Sequence, residues 1–163
     1  MRKYLRKAFM GLAALTLLSL VVLVGMGASS QTFLGSVHVD IATIVNSTGT
    51  GTVTLSTAGS SGSRINYISV TNTDTSAYNL TLYLTRSSTN YLLWSGQVPA
   101  SSGNSSTVTP YILLNPALWF ALPQDGNGQP YLQLKSGDTL TVALGSTITS
   151  GKTMTFYAVG GDF

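Results

Sequence analysis

From Val37 to the C-terminus, apolar residues return at every second position in short runs. Tyr78, Leu80, Leu82 and Leu84 share one face of a run whose other face is Asn79, Thr81 and Tyr83. Leu140, Val142 and Leu144 alternate with Thr139, Thr141 and Ala143, and Met154, Phe156 and Ala158 alternate with Thr153, Thr155 and Tyr157. Val37, Val39 and Ile41, then Val53 and Leu55, then the run from Ile65 to Val70, give further strands, with Leu92–Trp94 and Tyr131–Leu134 as shorter ones. A period of two places alternate side chains on opposite faces of an extended chain, which is the signature of a strand buried on one side. Between the runs lie "STGTG", "AGSSGS", "NTDTS", "SSGNSS", "DGNGQP", "KSGD" and "TSGK", all rich in turn-forming residues. About eight or nine short strands, spaced roughly ten residues apart, predict an all-β chain with one β-sandwich or jelly-roll-like domain over residues 31–163.

One stretch breaks the alternation. In "TPYILLNPALWFALP", Thr109 to Pro123, Asn115 followed by Pro116 predicts a single capped helical turn, with proline at the first helical position. Leu113, Leu118, Trp119, Phe120 and Leu122 then plug an open end of the domain. The other reading places Leu118, Trp119 and Phe120, together with Val39 and Ile41, at a subunit interface, where aromatic residues are enriched.

The N-terminus follows different rules. Arg2, Lys3, Arg6 and Lys7 precede an uncharged run from Ala8 to Ala28, which predicts a hydrophobic helix. Two readings of residues 1–30 fit. Small residues at Ala28 and Ser30 suit a secretory leader cut before Gln31. Residues 8–28 are also long enough, at about 1.5 Å per residue, to cross a hydrocarbon layer roughly 30 Å thick as a retained anchor. In either case the four cations hold the N-terminus in the cytoplasm and send the β domain across the membrane. Export or membrane anchorage, with the β domain at a virion or cell surface, is the expectation.

That cationic cluster also accounts for the net charge of +3. From Gln31 onward the bases are Arg64, Arg86, Lys135 and Lys152, against Asp40, Asp74, Asp125, Asp138 and Asp162, so four minus five leaves −1. A body without a basic cluster has nothing to neutralise a phosphate backbone, and nucleic acid is not an expected partner. The chain has no cysteine, which removes disulfides and thiolate chemistry.

Candidate chemistry is sparse. His38 and Asp40 are two apart on an expected strand and share a face, which reads as a polar pair on the solvated side. No serine stands in a nucleophile-elbow context. The other aspartates fall in turn sequences, "NTDT", "QDGNG", "SGDT" and "GGDF", where a carboxylate bonds nearby backbone. "DGNG" begins like a calcium loop, but Gln129 and Tyr131 follow at the ligand positions and no glutamate closes it, so it reads as a turn. No catalytic, cofactor or metal site is expected. Asn46, Asn79 and Asn104 head N-x-S/T sequons, candidates for glycosylation where the host modifies exported proteins.

"GSRINYISVTNTDTSAYNLTLYL", "VPASSG", "LLNPAL", "LPQDGNGQPYLQLKSGDTL" and "TSGKTMTFYAVGGDF", in that order, resemble the small β-rich virion structural (decoration-type) proteins of tailed bacteriophages. The likeness runs from about Thr43 to Phe163 and rests on turns and core positions. It implies a non-enzymatic structural or assembly subunit that associates with copies of itself. The N-terminal hydrophobic segment lies outside the resemblance and fits a membrane-containing virion, a relative displayed on a cell surface, or an exported filament. Two alternatives stand beside it. One is a pilus-like filament subunit in which residues 32–45 add a strand to a neighbour. The other is a surface glycan-binding module using Tyr83, Trp94 and Tyr157, which requires those aromatics to cluster on one exposed face.

Overall fold

The computed structural model describes residues 35–119 and 121–163; the expected N-terminal helix and Phe120 lie outside the described residues. Nine strands follow one another: β1 Ser36–Val45, β2 Val53–Thr57, β3 Ser63–Asn72, β4 Tyr78–Arg86, β5 Thr89–Val98, β6 Tyr111–Ile112, β7 Leu132–Leu134, β8 Thr139–Leu144 and β9 Thr153–Asp162. The described residues are all-β apart from one 3-10 turn at Asn46–Thr48.

Two antiparallel sheets result. The first runs β1-β9-β3-β6, with β7 also paired to β3, and the second runs β2-β8-β4-β5. Four nested pairs organise the chain: β4 with β5, β3 with β6, β2 with β8, and β1 with β9. The outermost pair joins the two ends of the described chain. One buried cluster draws on both sheets, including Ile44, Ile65, Ile68, Val70, Met154 and Phe156 from the first and Leu80, Leu82, Leu140 and Val142 from the second.

The alternation holds over most strands, and bulges mark where it does not. In β3 the register against β9 slips between Ile65 and Tyr67, so Asn66 is the extra residue and both Ile65 and Ile68 are buried. In β5 a similar slip lies opposite Leu82 and Tyr83, which breaks the alternation of the consecutive apolar Leu92, Leu93 and Trp94. β5 is ten residues long rather than the short strand expected from "LLW". It follows β4 through Ser87 and Ser88, both at positive φ (50° and 63°), the left-handed pair that a two-residue hairpin turn demands.

The Asn115–Pro116 turn forms as expected. The Asn115 side-chain oxygen accepts from the Ala117 and Leu118 amides at 2.9 and 3.3 Å, and its carbonyl accepts from Leu118 and Trp119. The turn delivers Trp119 into the core, where its indole N–H donates to the Leu113 carbonyl at 2.8 Å. Leu113 is buried and Leu122 packs against the core, but Leu118 stays exposed and plugs nothing.

Candidate functional site

β1 carries its residues on the faces opposite to those its chemistry suggests. Ala42 and Ile44 are buried, so His38 and Asp40, four and two positions before Ala42, face the same way. Val37, Val39 and Ile41 occupy the other face and are 72%, 55% and 61% exposed. The expected solvated face for His38 is thereby corrected. A one-residue change of register would exchange the two sets, but ten consecutive pairs with β9 lock the strand as it is.

Cross-strand register extends the apolar row over the sheet. Val39 lies opposite Val159, which lies opposite Tyr67, and Ile41 opposite Tyr157, then Ser69, then Ile112. Directly opposed residues share a face. Val37, Val39, Ile41, Tyr67 and Ile112 are exposed large hydrophobic side chains of this face, with Val45 at the far end of β1. Together they leave on the order of 500 Å² uncovered, a size at which an apolar patch marks a contact site. Of the residues expected at an interface, Val39 and Ile41 belong to this face. Trp119 is a core residue, Leu118 is exposed in the Asn115 turn and belongs to no strand, and Phe120 is outside the described residues.

His38 is held between two carboxylates. Its Nδ1 is 3.1 Å from Asp40 Oδ1, and its Nε2 is 3.4 Å from Asp162 Oδ1. Asp162 is the last residue of β9 rather than a turn residue. It also accepts from the Ser63 hydroxyl at 2.5 Å and from the Gly59 amide at 3.3 Å. The Ser63 hydroxyl first, with His38 and Gly59 adding to it, holds the Asp162 carboxyl below the usual carboxylate range against the opposing effect of burial. Gly59 is required by this approach, since a Cβ there would stand 2.5 Å from Asp162 Cγ. The constellation contains Ser, His and Asp but not in catalytic order. Ser63 is fully buried and donates to a carboxylate, not to the imidazole. Asp40 Oδ2 is buried and has no hydrogen-bond partner among the described residues.

The remaining aspartates each tie a turn. Asp74 accepts from Tyr78 Oη at 2.6 Å, the Thr149 amide at 3.0 Å and the Ser76 amide at 3.2 Å. Tyr78 and Thr149 between them hold its carboxyl far below the usual range. Asp138 receives a two-pronged contact from Arg86 Nε and Nη2, both at 2.6 Å, and the Lys135 amide at 2.8 Å. Asp125 accepts the Gln129 and Asn127 amides, each at 2.9 Å, which makes "DGNG" a turn as its spacing suggests. Among the described residues no group of three or more His, Cys, Asp or Glu is arranged to hold a metal ion. A cleft of about 480 Å³ opens between Ser61, Arg86, Gln133, Leu134, Lys135 and Phe163, but its guanidinium is already taken by Asp138.

The three aromatics of the glycan reading do not share a surface. Tyr83 is on β4 in the second sheet and Tyr157 on β9 in the first. Trp94 packs against the core beside Tyr111, with ring centroids 6.3 Å apart. Asn46, Asn79 and Asn104 are exposed, though the Asn46 amide already donates to the Ile148 carbonyl at 2.6 Å.

No family model matches the chain, and no curated protein matches it in sequence.

Proposed function

We propose that the chain is a non-catalytic assembly subunit of a virion or cell-surface layer, its β domain folded as a jelly-roll sandwich and displayed outside the cytoplasm. The observation that carries this reading is the exposed apolar face of Val37, Val39, Ile41, Tyr67 and Ile112 on the first sheet. A lone surface leucine is ordinary, whereas an apolar row crossing three strands, with Ile41 and Ile112 beside it, is not. The strand orders β1-β9-β3-β6 and β2-β8-β4-β5, with their four nested pairs, support a jelly roll. That architecture serves capsid shells as well as lectins and cupins, so the fold alone names no role. The apolar face weighs for assembly, the separated aromatics against a lectin, and the buried Ser63 against a hydrolase. Ser36–Val45 pairs along its whole length with the chain's own β9, which weighs against its donation to a neighbour.

The test is the native mass of the full-length chain, extracted in mild detergent and sized by sedimentation. An oligomer is expected, and serine at Val37, Val39, Ile41, Tyr67 and Ile112 together is expected to dissociate it. A monomer at every concentration overturns the reading, as does an oligomer indifferent to the five substitutions.

A further inference from the structure

The strands at the sheet borders are built differently. β2 has five residues and a bulge between Thr54 and Ser56, β5 pairs through a bulge, β6 has two residues and β7 three. Short and bulged edges discourage pairing with another chain. β1 is ten residues long, has no register shift, and contains no proline, lysine or arginine. Among the described residues nothing pairs with its outer edge, and that edge has a defined parity. Thr153 exchanges bonds with Thr73 beside β3, so the even-numbered residues of β9 turn their backbone groups towards β1. Their partners His38, Asp40, Ala42 and Ile44 complete that ladder. The N–H and C=O groups of Val37, Val39, Ile41 and Thr43 therefore point to the open side.

Resting on the assembly reading, we propose that this edge pairs with β1 of a second copy, antiparallel, about a two-fold axis through Val39. Odd residues then bond odd residues: Val39 faces the partner's Val39, and Val37 faces the partner's Ile41. On the other face His38 stands opposite the partner's Asp40, and Asp40 opposite the partner's His38. These are non-hydrogen-bonded pairs, whose side chains approach more closely. Both ring nitrogens of His38 already face carboxylates of their own chain, so what the cross-pairs match is imidazole against carboxylate side by side, without a new hydrogen bond. Moving the axis one residue towards the C-terminus sets Asp40 against the partner's Asp40, and one residue towards the N-terminus sets His38 against the partner's His38. The His38–Asp40 pair thus acts as a register key, a polar pair that admits one self-pairing and opposes its neighbours. An isologous contact of this kind closes as a dimer and joins the two apolar faces into one surface.

A chain without cysteine gives a clean test. Val39→Cys, Val37→Cys and Ile41→Cys are made singly in the full-length chain and oxidised under native conditions. Bonded pairs on antiparallel strands hold their Cα atoms about 5.5 Å apart, within disulfide reach, while residue 37 and its own symmetry mate stand about 14 Å apart. Val39→Cys is expected to run as a covalent dimer, and Val37→Cys and Ile41→Cys to cross-link only when mixed with each other. Val37→Cys or Ile41→Cys cross-linking to itself overturns the register. An oligomer by sedimentation in which none of the three cross-links overturns β1 pairing but leaves the assembly reading standing. A monomer overturns both.

Discussion

Ile41 and Ile44 sit three residues apart on one strand and face opposite ways, so truncating each separates assembly from folding. Ile44 is fully buried, and Ile44→Ala leaves a core cavity worth about 2–5 kcal/mol of stability. Ile41 is 61% exposed, so a partner could still cover that share of its side chain. Fully burying an isoleucine is worth roughly 1.5–3 kcal/mol, which makes the uncovered part about 1–2 kcal/mol per copy. A two-fold contact counts the change twice, giving about 2–4 kcal/mol, or roughly a 30- to 700-fold rise in the dissociation constant. Ile41→Ser should alter the stability of the folded chain by less than about 1 kcal/mol. Denaturant midpoints at fixed protein concentration and sedimentation equilibrium read the two quantities. The reasoning is refuted if Ile41→Ser destabilises folding as much as Ile44→Ala does, or leaves the association constant unchanged.

Three further outcomes follow from the same geometry. The carboxyls of Asp74, Asp138 and Asp162 are all held below their ordinary range, so their contribution is complete above about pH 4 and is lost as pH falls through the folded values. Thermal midpoints should be flat in this respect above pH 5 and drop below pH 4, less steeply in Asp74→Asn; midpoints unchanged down to pH 2 would contradict this. Trp119→Ala should lose about 3–5 kcal/mol in denaturant unfolding, whereas Leu118→Ala in the same turn should change little, and equal effects would contradict the turn's geometry. Ser88→Gly should stabilise by up to about 1 kcal/mol because Ser88 holds a left-handed conformation that glycine adopts freely; destabilisation would contradict the turn assignment.

Much of this was legible in the chain because a half-buried strand writes its faces into alternate residues. Leu80, Leu82, Leu140, Val142, Met154 and Phe156 all sit in the core where the alternation places them. What escaped has physical causes. β5 was hidden because a bulge interrupts its alternation, and because its turn uses two serines where Asn-Gly would have announced a hairpin. Asp162 looked like a turn residue because "GGDF" has turn composition. Gly160 instead lets β9 approach β3 closely, since a Cβ there would overlap the Arg64 carbonyl oxygen. The two faces of β1 are harder to assign, for the opposite reason. Period two fixes which residues share a face but not which face is buried, and chemistry alone assigns His38 and Asp40 to solvent. Only the pairing with β9 shows them turned inward and Val37, Val39 and Ile41 turned out.

The most direct test of assembly through β1 is amide exchange, read residue by residue in the native full-length oligomer. In an isolated chain the amides of Val37, Val39 and Ile41 point to the open edge and exchange rapidly, while those of His38, Asp40 and Ala42 are bonded to β9. Assembly through this edge predicts strong protection at both sets. Protection at the even positions with free exchange at Val37, Val39 and Ile41 would contradict it.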